Sequence, residues 1–587
     1  MQIRWLWGAL VLAVACDGDT DKGPIVESED ADGDGFTEAA GDCDDNDALV
    51  SPGAEEICDG IDNNCSGEVD EGVTEVWYPD ADGDGFGADD APTDACSRPD
   101  GHVPSATDCD DANPDVFPGA LEVCDGVDTD CDAIPDPTSC RPVGTAELRI
   151  DGTADGMRLG AALASIDDWD GDGVSDLAVG APDHDSGRGQ VFVFTGPFGS
   201  DSLTTADAAA SIRGLDDGDA FGHALAHLPD LDGDGFSELV VGAWGEDAGG
   251  SAAGAVTIHP GGGTGLLDGT DVLARYEGER PGQNLGIAVR TVGDIDNDGT
   301  PDLVLGAPGD DSYGVGAGVA MLFTVATDGG TYGPADAIAR VYGGSEGAFM
   351  GQAVDGPGDL GGDGLPDLLV AAPGDDTGGT DAGAFFILSG PITADRSTSD
   401  AVAAWYGEAA GDQAGGSIAA PGDVNGDGYA DLVVGAPDQD LGGNGAGLIY
   451  ILYGPTSGTA TLASADARVV GRQPGDHAGN AVDASSDVDG DGRKDVLVGA
   501  YIDDSAAINA GAAYLVLGPW SGTSYLTDAQ GGFIGEAEAD VAGWAVNLAT
   551  DLDGGGVDDV VIGAPGQDAG AEDGGTVYVV SAEGLVF

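Results

Sequence analysis

The sequence of 587 residues is strongly acidic: 109 Asp and Glu residues outnumber 17 Lys and Arg residues and give a net charge of −92. A surface with this charge repels nucleic acid and anionic lipid, so the composition argues against a nucleic-acid-binding protein. Beyond Ala15, no apolar stretch is long enough to cross a bilayer as a helix.

Residues 1–15 are predicted to be an export signal, because one basic residue precedes an apolar stretch that ends in small residues. The sequence Ala13-Val14-Ala15-Cys16 resembles a bacterial lipobox, which implies that Cys16 is acylated after cleavage. Ordinary signal-peptide cleavage without a lipid is the alternative. Residues 16–29 are acidic and lack apolar periodicity, so they are predicted to form a tether. The predicted location is the cell envelope, as an outer-membrane or cell-surface lipoprotein held to the membrane only by its lipid.

Residues 30–142 are predicted to form a small cysteine-rich module. Eight of the nine cysteines lie here, and an even number of cysteines in an exported acidic segment predicts disulfides. The intervals within one group of three cysteines recur unchanged in a later group, so the module contains two copies, and the pairing remains open. The first group is Cys43, Cys58 and Cys65, the second is Cys109, Cys124 and Cys131, and Cys96 and Cys140 complete the eight.

Four acidic loops in this module have the spacing of calcium ligands. Calcium takes six to eight hard oxygen ligands, and carboxylates or amides at positions 1, 3, 5 and 9 of a loop can surround one ion. The third loop has Ala88 at position 9 and offers only three such side chains. The four sets are Asp30, Asp32, Asp34 and Glu38; Asp62, Asn64, Ser66 and Asp70; Asp80, Asp82 and Asp84; and Asp128, Asp130, Asp132 and Asp136.

The stretch "GDCDDND…PGAEEICDGIDNNCSGEVDEG" resembles the metal-binding repeats of MopE-like bacterial surface proteins. The name of that family suggests copper, whereas hard oxygen donors favour calcium. The cysteines lack the CxxC pairs of a zinc site.

Residues 144–587 contain seven copies of one unit. An aspartate-rich loop such as "DWDGDGVSD" recurs at a nearly constant interval, and a constant period indicates a repeat architecture. A glycine precedes each leading aspartate at a fixed distance, and Gly-Ala or Ala-Ala follows that aspartate at a fixed distance. In the first copy these residues are Gly160 and Gly180-Ala181. The leading aspartates are Asp168, Asp230, Asp294, Asp359, Asp423, Asp487 and Asp551.

Each unit is predicted to supply four short β-strands and no convincing helix. The run "DLVVGAP" is short, apolar and ended by Gly and Pro, which favours a buried strand. Seven such units predict an all-β fold, a seven-bladed β-propeller of four-stranded blades. Residues 147–150 are predicted to close the ring as the outer strand of the last blade, which would remove exposed edges.

Five of the seven loops carry the full set of oxygen ligands, and calcium is the predicted cofactor. Simple turn formation by Asp and Gly is the alternative. Loops 4 and 7 are incomplete because Gly361 and Gly555 replace ligands. The five complete sets are Asp168, Asp170, Asp172 and Asp176; Asp230, Asp232, Asp234 and Glu238; Asp294, Asp296, Asp298 and Asp302; Asp423, Asn425, Asp427 and Asp431; and Asp487, Asp489, Asp491 and Asp495.

Phe221-Gly222 and the Gly-Ala-Pro triplets around these loops resemble the FG-GAP repeats of integrin alpha chains and of many bacterial proteins. The resemblance implies calcium in the loops on one face of the propeller and a partner on the opposite face. Trp244, Tyr313 and Tyr501 are candidate partner-binding residues there, because exposed rings beside acidic groups suit a sugar or a basic protein. Their alternative role is to cap strand ends.

No nucleophile elbow or phosphate loop occurs in the sequence, and the six histidines are scattered. The leading hypothesis is a non-enzymatic, calcium-stabilised surface propeller that binds an extracellular protein or glycan. A second hypothesis is a surface protein that sequesters metal through the cysteine-rich module. A third is a hydrolase or lyase built on a propeller scaffold.

Overall fold

The computed structural model describes residues 29–89, 91–114, 116–118, 131, 140–199, 202–362 and 364–582. The chain divides into two compact units, Met1–Pro118 and Gly119–Phe587. Several predicted features lie outside the described residues: the export signal at 1–15, Cys16, the tether up to residue 28, Cys124, and the loop with Asp128, Asp130, Asp132 and Asp136.

The first unit contains little regular structure. Its three strands, β1 (Glu75–Pro79), β2 (Thr93–Ala95) and β3 (His102–Val103), form an antiparallel sheet in the order β2–β1–β3. Among its described residues the buried apolar side chains are Val50, Val103 and Val116. So small a core needs covalent support.

Disulfides supply that support. Cys43 is bonded to Cys65, and Cys58 is bonded to Cys96. Cys109 and Cys131, the counterparts of Cys43 and Cys65 in the second copy, are also disulfide-bonded. The expectation of disulfides in this module is therefore confirmed for these six cysteines.

The second unit is built almost entirely of short strands. Those from its first half are β4 (Cys140–Pro142), β5 (Leu148–Asp151), β6 (Ala162–Ile166), β7 (Asp176–Ala181), β8 (Gln190–Phe194), β9 (Leu203–Thr204), β10 (Ala210–Arg213), β11 (Ala224–Leu228), β12 (Glu238–Ala243), β13 (Ala255–His259), β14 (Gly265–Asp268), β15 (Ala274–Glu277), β16 (Ala288–Val292), β17 (Asp302–Ala307), β18 (Val319–Thr324), β19 (Gly330–Tyr332), β20 (Ala339–Tyr342) and β21 (Val354–Gly358). Those from its second half are β22 (Asp367–Ala372), β23 (Ala384–Ser389), β24 (Arg396–Ser397), β25 (Ala403–Tyr406), β26 (Ser417–Gly422), β27 (Asp431–Ala436), β28 (Leu448–Leu452), β29 (Gly458–Thr461), β30 (Ala467–Val470), β31 (Ala481–Asp483), β32 (Val496–Ala500), β33 (Ala512–Val516), β34 (Gly522–Tyr525), β35 (Gly531–Ile534), β36 (Ala545–Ala549), β37 (Asp559–Ala564) and β38 (Thr576–Val580).

Helical structure in the described residues is limited to single turns. They are Glu38–Ala40 in the first unit, and Val143–Thr145, His184–Gly187, Thr205–Asp207, Pro334–Asp336, Thr398–Asp400, Leu462–Ser464 and Leu526–Asp528 in the second. Within the described part of the chain, none of these helical segments has the length and apolar character needed to span a membrane.

The strands of the second unit form seven sheets, one for each sequence repeat. In each sheet strands A, B, C and D are antiparallel neighbours, and a fifth strand E pairs with D in parallel, as in sheet 1. In the order A to E, sheets 1 to 7 are β6–β7–β8–β10–β14, β11–β12–β13–β15–β19, β16–β17–β18–β20–β24, β21–β22–β23–β25–β29, β26–β27–β28–β30–β34, β31–β32–β33–β35–β4 and β36–β37–β38–β5–β9.

The prediction of four strands per sheet was therefore wrong by one. Strand E is short and comes from another repeat: β14 follows strand C of sheet 2 but pairs with sheet 1. Its residues Gly265–Asp268 are mostly exposed. A strand of this kind has no apolar alternation, so sequence periodicity does not reveal it.

The seven sheets close into a ring, which makes the second unit a β-propeller. Neighbouring strands A contact one another from sheet 1 to sheet 7, and β36 of sheet 7 also contacts β6 of sheet 1. A separate cluster of buried apolar side chains fills each of the seven spaces between adjacent sheets. Strand B is fully buried in every sheet, as the apolar runs predict.

The start of the second unit completes its last sheets. Strand β5 pairs with the C-terminal strand β38, with Ile150 opposite Val577, so the predicted ring closure is confirmed. It occupies the fourth position, because β9 lies outside it. Strand β4 pairs with β35 of sheet 6. Residues 140–142 are predicted to belong to the cysteine-rich module, whereas this pairing places them in the propeller.

Two recurring glycines meet where adjacent sheets come closest. Gly222, in the turn before strand A of sheet 2, has a φ of +89°. A Cβ on Gly180, in strand B of sheet 1, would lie 2.1 Å from the carbonyl oxygen of Gly222. These glycines are therefore required by a left-handed turn and by close backbone approach.

We predict that Gly180→Ala lowers the melting temperature, because the Gly222 carbonyl would have to move away. Overpacking of this kind costs on the order of 1–3 kcal/mol. Gly199→Ala is the control, since a Cβ on Gly199 meets no atom within 4 Å. Thermal denaturation followed by circular dichroism measures both changes, and equal melting temperatures for the two variants would contradict this packing role.

Candidate metal sites and the opposite face

The seven aspartate loops lie on one face of the propeller, because each connects strand A to strand B. The loop of sheet 3 illustrates the geometry. Asp294 accepts hydrogen bonds from the amides of Asp298 and Gly299, both at 2.8 Å. Asp296 accepts the amide of Asp298 at 3.0 Å. These bonds curl the backbone around its own carboxylates.

The carboxylate at position 9 anchors each loop to its sheet. It is the first residue of strand B in six sheets and fully or almost fully buried in all seven. In every sheet it accepts the amide of the residue at position 2, as Asp302 accepts the amide of Ile295 at 2.9 Å. The other six pairs are Trp169–Asp176, Leu231–Glu238, Leu360–Asp367, Val424–Asp431, Val488–Asp495 and Leu552–Asp559.

Burial gives these anchoring carboxylates unusual acidities. It raises the pKa of Asp176 and of Asp495 to about 6, and the nearby charges at positions 1 and 3 contribute to that rise. Burial and neighbouring charges likewise raise the pKa of Asp302, Glu238 and Asp559 to about 7. The carboxylates thus repel one another in a partly desolvated loop, and a bound cation would relieve that repulsion.

The donor set of these loops fits a hard cation. In sheet 2, carboxylate oxygens of Asp230, Asp232, Asp234 and Glu238 all lie within 4.8 Å of one another. In sheet 3, Oδ1 of Asp302 is buried and has no hydrogen-bond partner. Oxygen-only donors at this spacing are what calcium takes. A metal held here would supply positive charge between the carboxylates.

Loop 7 keeps more of a site than its sequence indicates. Gly555 removes the ligand at position 5, but Oδ1 of Asp551 and Oδ1 of Asp559 are both buried without a hydrogen-bond partner. In loop 4, Gly361 donates its amide to Asp367 at 2.9 Å. Loop 7 therefore keeps two buried, unpaired carboxylate oxygens despite its glycine, and in loop 4 the glycine itself takes part in the bonds that curl the loop.

Two loops of the first unit differ from their predicted ligand sets. Asp30, Asp32 and Asp34 bring carboxylate oxygens together, but Glu38 lies exposed in a helical turn and outside this group. The structure also groups Asp62 with Glu56 and Glu71.

Asp70 has a different role, since its carboxylate accepts the amides of Asp59 and Gly60 at 3.0 Å. Asn64 and Ser66 both donate to Glu71 at 2.7 Å. The loop folds back on itself here, so the residue after position 9 reaches the cluster. In the remaining predicted set, Asp80 and Asp82 gather with Asp111, which sequence spacing does not reveal.

The opposite face carries the B–C loops and the turns that precede each strand A. Tyr313 is 66% exposed and packs over Tyr342, with 4.2 Å between ring centroids. Trp244 is only partly exposed and packs edge-on against His223. Tyr501 is also partly exposed and contacts the rings of His477 and Trp544. Of the three candidate aromatics, Tyr313 is thus the most exposed to solvent.

This face also carries exposed apolar side chains that were not predicted from the sequence. Val315, Leu441 and Ile508 are exposed in B–C loops, and Phe349 and Trp544 are exposed in the turns before strand A. The loops are held in place: Gly347 donates its amide to the carbonyl of Val315, and Ala539 donates to that of Ile508. A search of the sequence for aromatic residues would have found Phe349 and Trp544. Their exposure to solvent, however, depends on the conformation of the turns before strand A.

Two family models match parts of the chain. The Cu-binding_MopE model, described as "Putative metal-binding motif", matches residues 42–71 and 108–137. The FG-GAP repeat model matches residues 221–259, 287–321 and 415–452.

Integrin alpha chains are similar in sequence. Integrin alpha-PS2 of Drosophila melanogaster is 31% identical over 227 residues, which is 37% of this chain and 15% of that protein. Integrin alpha-IIb of Homo sapiens is 38% identical over 110 residues, 19% of this chain and 10% of that protein. The matches with these two relatives thus span only a small part of the relatives' own length.

Among solved structures, Sqt1 from Chaetomium thermophilum has a TM-score of 0.35 at 12% identity, and the match covers 74% of this chain and 98% of that one. The Dos1 propeller has a TM-score of 0.31 at 10% identity, and the match covers 64% of this chain and 71% of that one. These scores are too low to support a functional comparison. The chain carries FG-GAP repeats in a β-propeller that is similar in sequence to integrin alpha chains, together with two metal-binding motifs of the MopE type.

Proposed function

We propose that this protein is an exported, calcium-stabilised propeller that binds an extracellular protein or glycan on the face opposite its aspartate loops. The observation that carries the proposal is the division of chemistry between the two faces. The aspartate loops gather carboxylates on one face, as in sheet 2, and the opposite face exposes Tyr313 together with Val315, Leu441, Ile508, Phe349 and Trp544. The relatives named above are integrins, which supports an adhesion role.

Calcium is the cation that best suits the aspartate loops. Their ligands are carboxylates with an occasional amide, and no described sulfur or imidazole stands among the four carboxylates grouped in sheet 2. Magnesium demands a stricter octahedral geometry and retains its water, whereas calcium accepts flexible loops of this kind. Copper and zinc favour nitrogen and sulfur donors.

The binding face combines apolar contact area with acidic surroundings. The exposed side chains of Tyr313 and Val315 stand near Asp311 in the chain, which is also exposed. Tyrosine rings give large contact area at low entropy cost. The partner that suits this surface is a glycan, or a protein with a basic patch. Hydrogen bonds between B–C loops and the turns beside them keep the surface preformed.

An exported location is consistent with the disulfides of the first unit, which form in oxidising compartments. We further propose that Cys16 carries the lipid anchor and that the acidic segment after it is a tether. The proposal rests on the sequence alone, since all but the last residue of this segment lie outside the described part of the chain.

Removal of calcium should lower the melting temperature, because unpaired carboxylates in each loop would repel one another. At a separation of roughly 4 Å the repulsion is about 1 kcal/mol per pair even in water. We expect Asp296→Asn to reduce the calcium-dependent rise in melting temperature. Asp155→Asn is the control, since Asp155 is exposed and outside the loops. A melting curve that is the same in calcium and in excess EGTA would contradict the proposal.

Tyr313→Ala and Trp544→Ala should weaken partner capture about tenfold, because both remove an exposed ring from the binding face, and a well-packed aromatic contact contributes on that order. Tyr525→Ala is the control, since this exposed tyrosine lies in strand E of sheet 5. Binding to a glycan array and to a panel of extracellular-matrix proteins measures the effect. Equal capture by all three variants would place the binding surface elsewhere.

Cys16→Ser should release the protein from the membrane without changing its fold, because the lipid is the only proposed attachment. Detergent-phase partitioning of whole cells measures this change. Partitioning that is the same in the wild type and the variant would refute the anchor. Circular dichroism of the released protein checks that it remains folded.

A further inference from the structure

The first unit contains two carboxylate clusters whose members come from separate parts of the chain. One cluster begins with the loop Asp30–Asp32–Asp34, and the other begins with the loop Asp80–Asp82–Asp84. In each case a buried aspartate from further along the sequence lies against the loop. The two loops precede the segments that match the metal-binding motif, residues 42–71 and 108–137, whereas the additional aspartates lie at the start of those segments.

In the first cluster the additional aspartate is Asp42. Its amide donates to the carbonyl of Thr37 at 3.1 Å, which fixes it against the end of the loop. Asp42 is only 5% exposed. Its Oδ1 accepts the amide of Asp44 at 2.9 Å, while its Oδ2 is buried with no hydrogen-bond partner. Desolvation raises the pKa of Asp32, and the charges of Asp34 and Asp42 add to that effect.

The second cluster repeats this arrangement. The amide of Asp108 donates to the carbonyl of Gly87 at 3.1 Å, and Asp108 is 9% exposed. Its Oδ1 accepts the amide of Asp110 at 2.9 Å, while its Oδ2 is buried and unpaired. Burial raises the pKa of Asp108, and the charges of Asp84 and Asp82 raise it further.

A second carboxylate accompanies Asp108. Asp111 accepts the amide of Ala81 at 2.8 Å, and its carboxylate lies within 4.8 Å of those of Asp80 and Asp82. Asp45 holds the equivalent position in the first copy, and its Oδ1 is buried without a hydrogen-bond partner. The two clusters therefore match at four members in the structure and at a fifth, Asp45, by its position in the sequence.

The shared geometry does not follow from shared spacing. Asp42 comes just after the helical turn Glu38–Ala40 that ends its loop, whereas strands β2 and β3 lie between Asp108 and its loop. Both nevertheless contact the carbonyl of the residue at position 8 of the loop, Thr37 or Gly87. Two different chain paths thus bring a buried carboxylate to the same place.

The unpaired oxygens of the two clusters point to a ligand. Buried polar atoms are normally hydrogen-bonded, and a buried anionic oxygen without a partner is unfavourable. Both clusters contain several such atoms. They are Oδ2 of Asp32, Asp34 and Asp42 with Oδ1 of Asp45, and Oδ2 of Asp82, Asp84 and Asp108.

We propose that these clusters are two equivalent divalent-cation sites. The first is formed by Asp30, Asp32, Asp34, Asp42 and Asp45, and the second by Asp80, Asp82, Asp84, Asp108 and Asp111. The all-oxygen donor set favours calcium, and in that choice of cation the inference rests on the proposed function.

Cation binding in these sites would connect the acidic loops to the disulfide-bonded segments. Asp42 and Asp108 directly precede Cys43 and Cys109, and Cys43 is bonded to Cys65 in the loop that begins at Asp62. An ion held between the Asp30 loop and Asp42 therefore links that loop to the disulfide-bonded part of the unit. The two sites would thus stabilise a unit that has little apolar core.

The test is the number of calcium ions bound by the full chain, measured by equilibrium dialysis. We expect the double variant Asp42→Asn/Asp108→Asn to bind two ions fewer than the wild type, because each site loses its buried ligand. Asp44→Asn/Asp110→Asn is the matched control, since these exposed neighbours lie outside both clusters. A double variant that binds as many ions as the control would overturn the proposal.

A second measurement covers the case in which the double variant does not fold. Hydrogen exchange on the wild-type protein should show slower exchange on calcium addition at the amides of residues 33–44 and of residues 81–110. Unchanged exchange in both segments would overturn the proposal. Asp296→Asn distinguishes the two calcium hypotheses, because it removes an ion from the propeller and leaves these sites intact.

Discussion

The buried carboxylate at the start of strand B is the group on which the rest of the propeller unit depends. It accepts the amide at position 2 of its loop, as Asp302 does from Ile295, and so joins loop to sheet in every repeat. A carboxylate in this position is buried and stands near others of the same charge. The same group therefore orders the loop and creates the need for a cation.

This arrangement explains why the two faces of the ring can serve different purposes. Hydrogen bonds between carboxylates and amides set the loop geometry on the aspartate face. The sequence of that face can therefore vary little without removing a carboxylate that anchors a loop. The B–C loops are held by bonds to neighbouring turns and by their own aspartates, as Asp311 accepts the amide of Gly316. Their tips hold varied residues such as Tyr313, Leu441 and Ile508. A binding surface is best placed on loops that a rigid scaffold supports but does not specify.

The first unit solves the problem of acidic loops by different means. Disulfides and backbone contacts such as that of Asp42 with Thr37 bring its carboxylates together. Disulfides and backbone contacts therefore do in this unit what the buried strand-B carboxylates do for the propeller loops. The two units share a loop sequence but place it in unlike surroundings. The carboxylate at position 9 is therefore buried against the sheet in the propeller, whereas Glu38 is exposed and Asp70 accepts the amides of Asp59 and Gly60.

The sequence by itself determined the repeat, the strands A to D, the ring closure by β5 and the recurrence of an acidic residue at position 9 of the propeller loops. These features follow from local periodicity and constant spacing, which are present in the sequence whatever long-range contacts form. Only the tertiary structure decided strand E, the meeting of Gly180 with Gly222, the packing of Trp244 and the approach of Asp42 and Asp108 to their loops. Each of these joins residues from separate parts of the chain. The contact is set by the path of the intervening backbone, and no local pattern records that path.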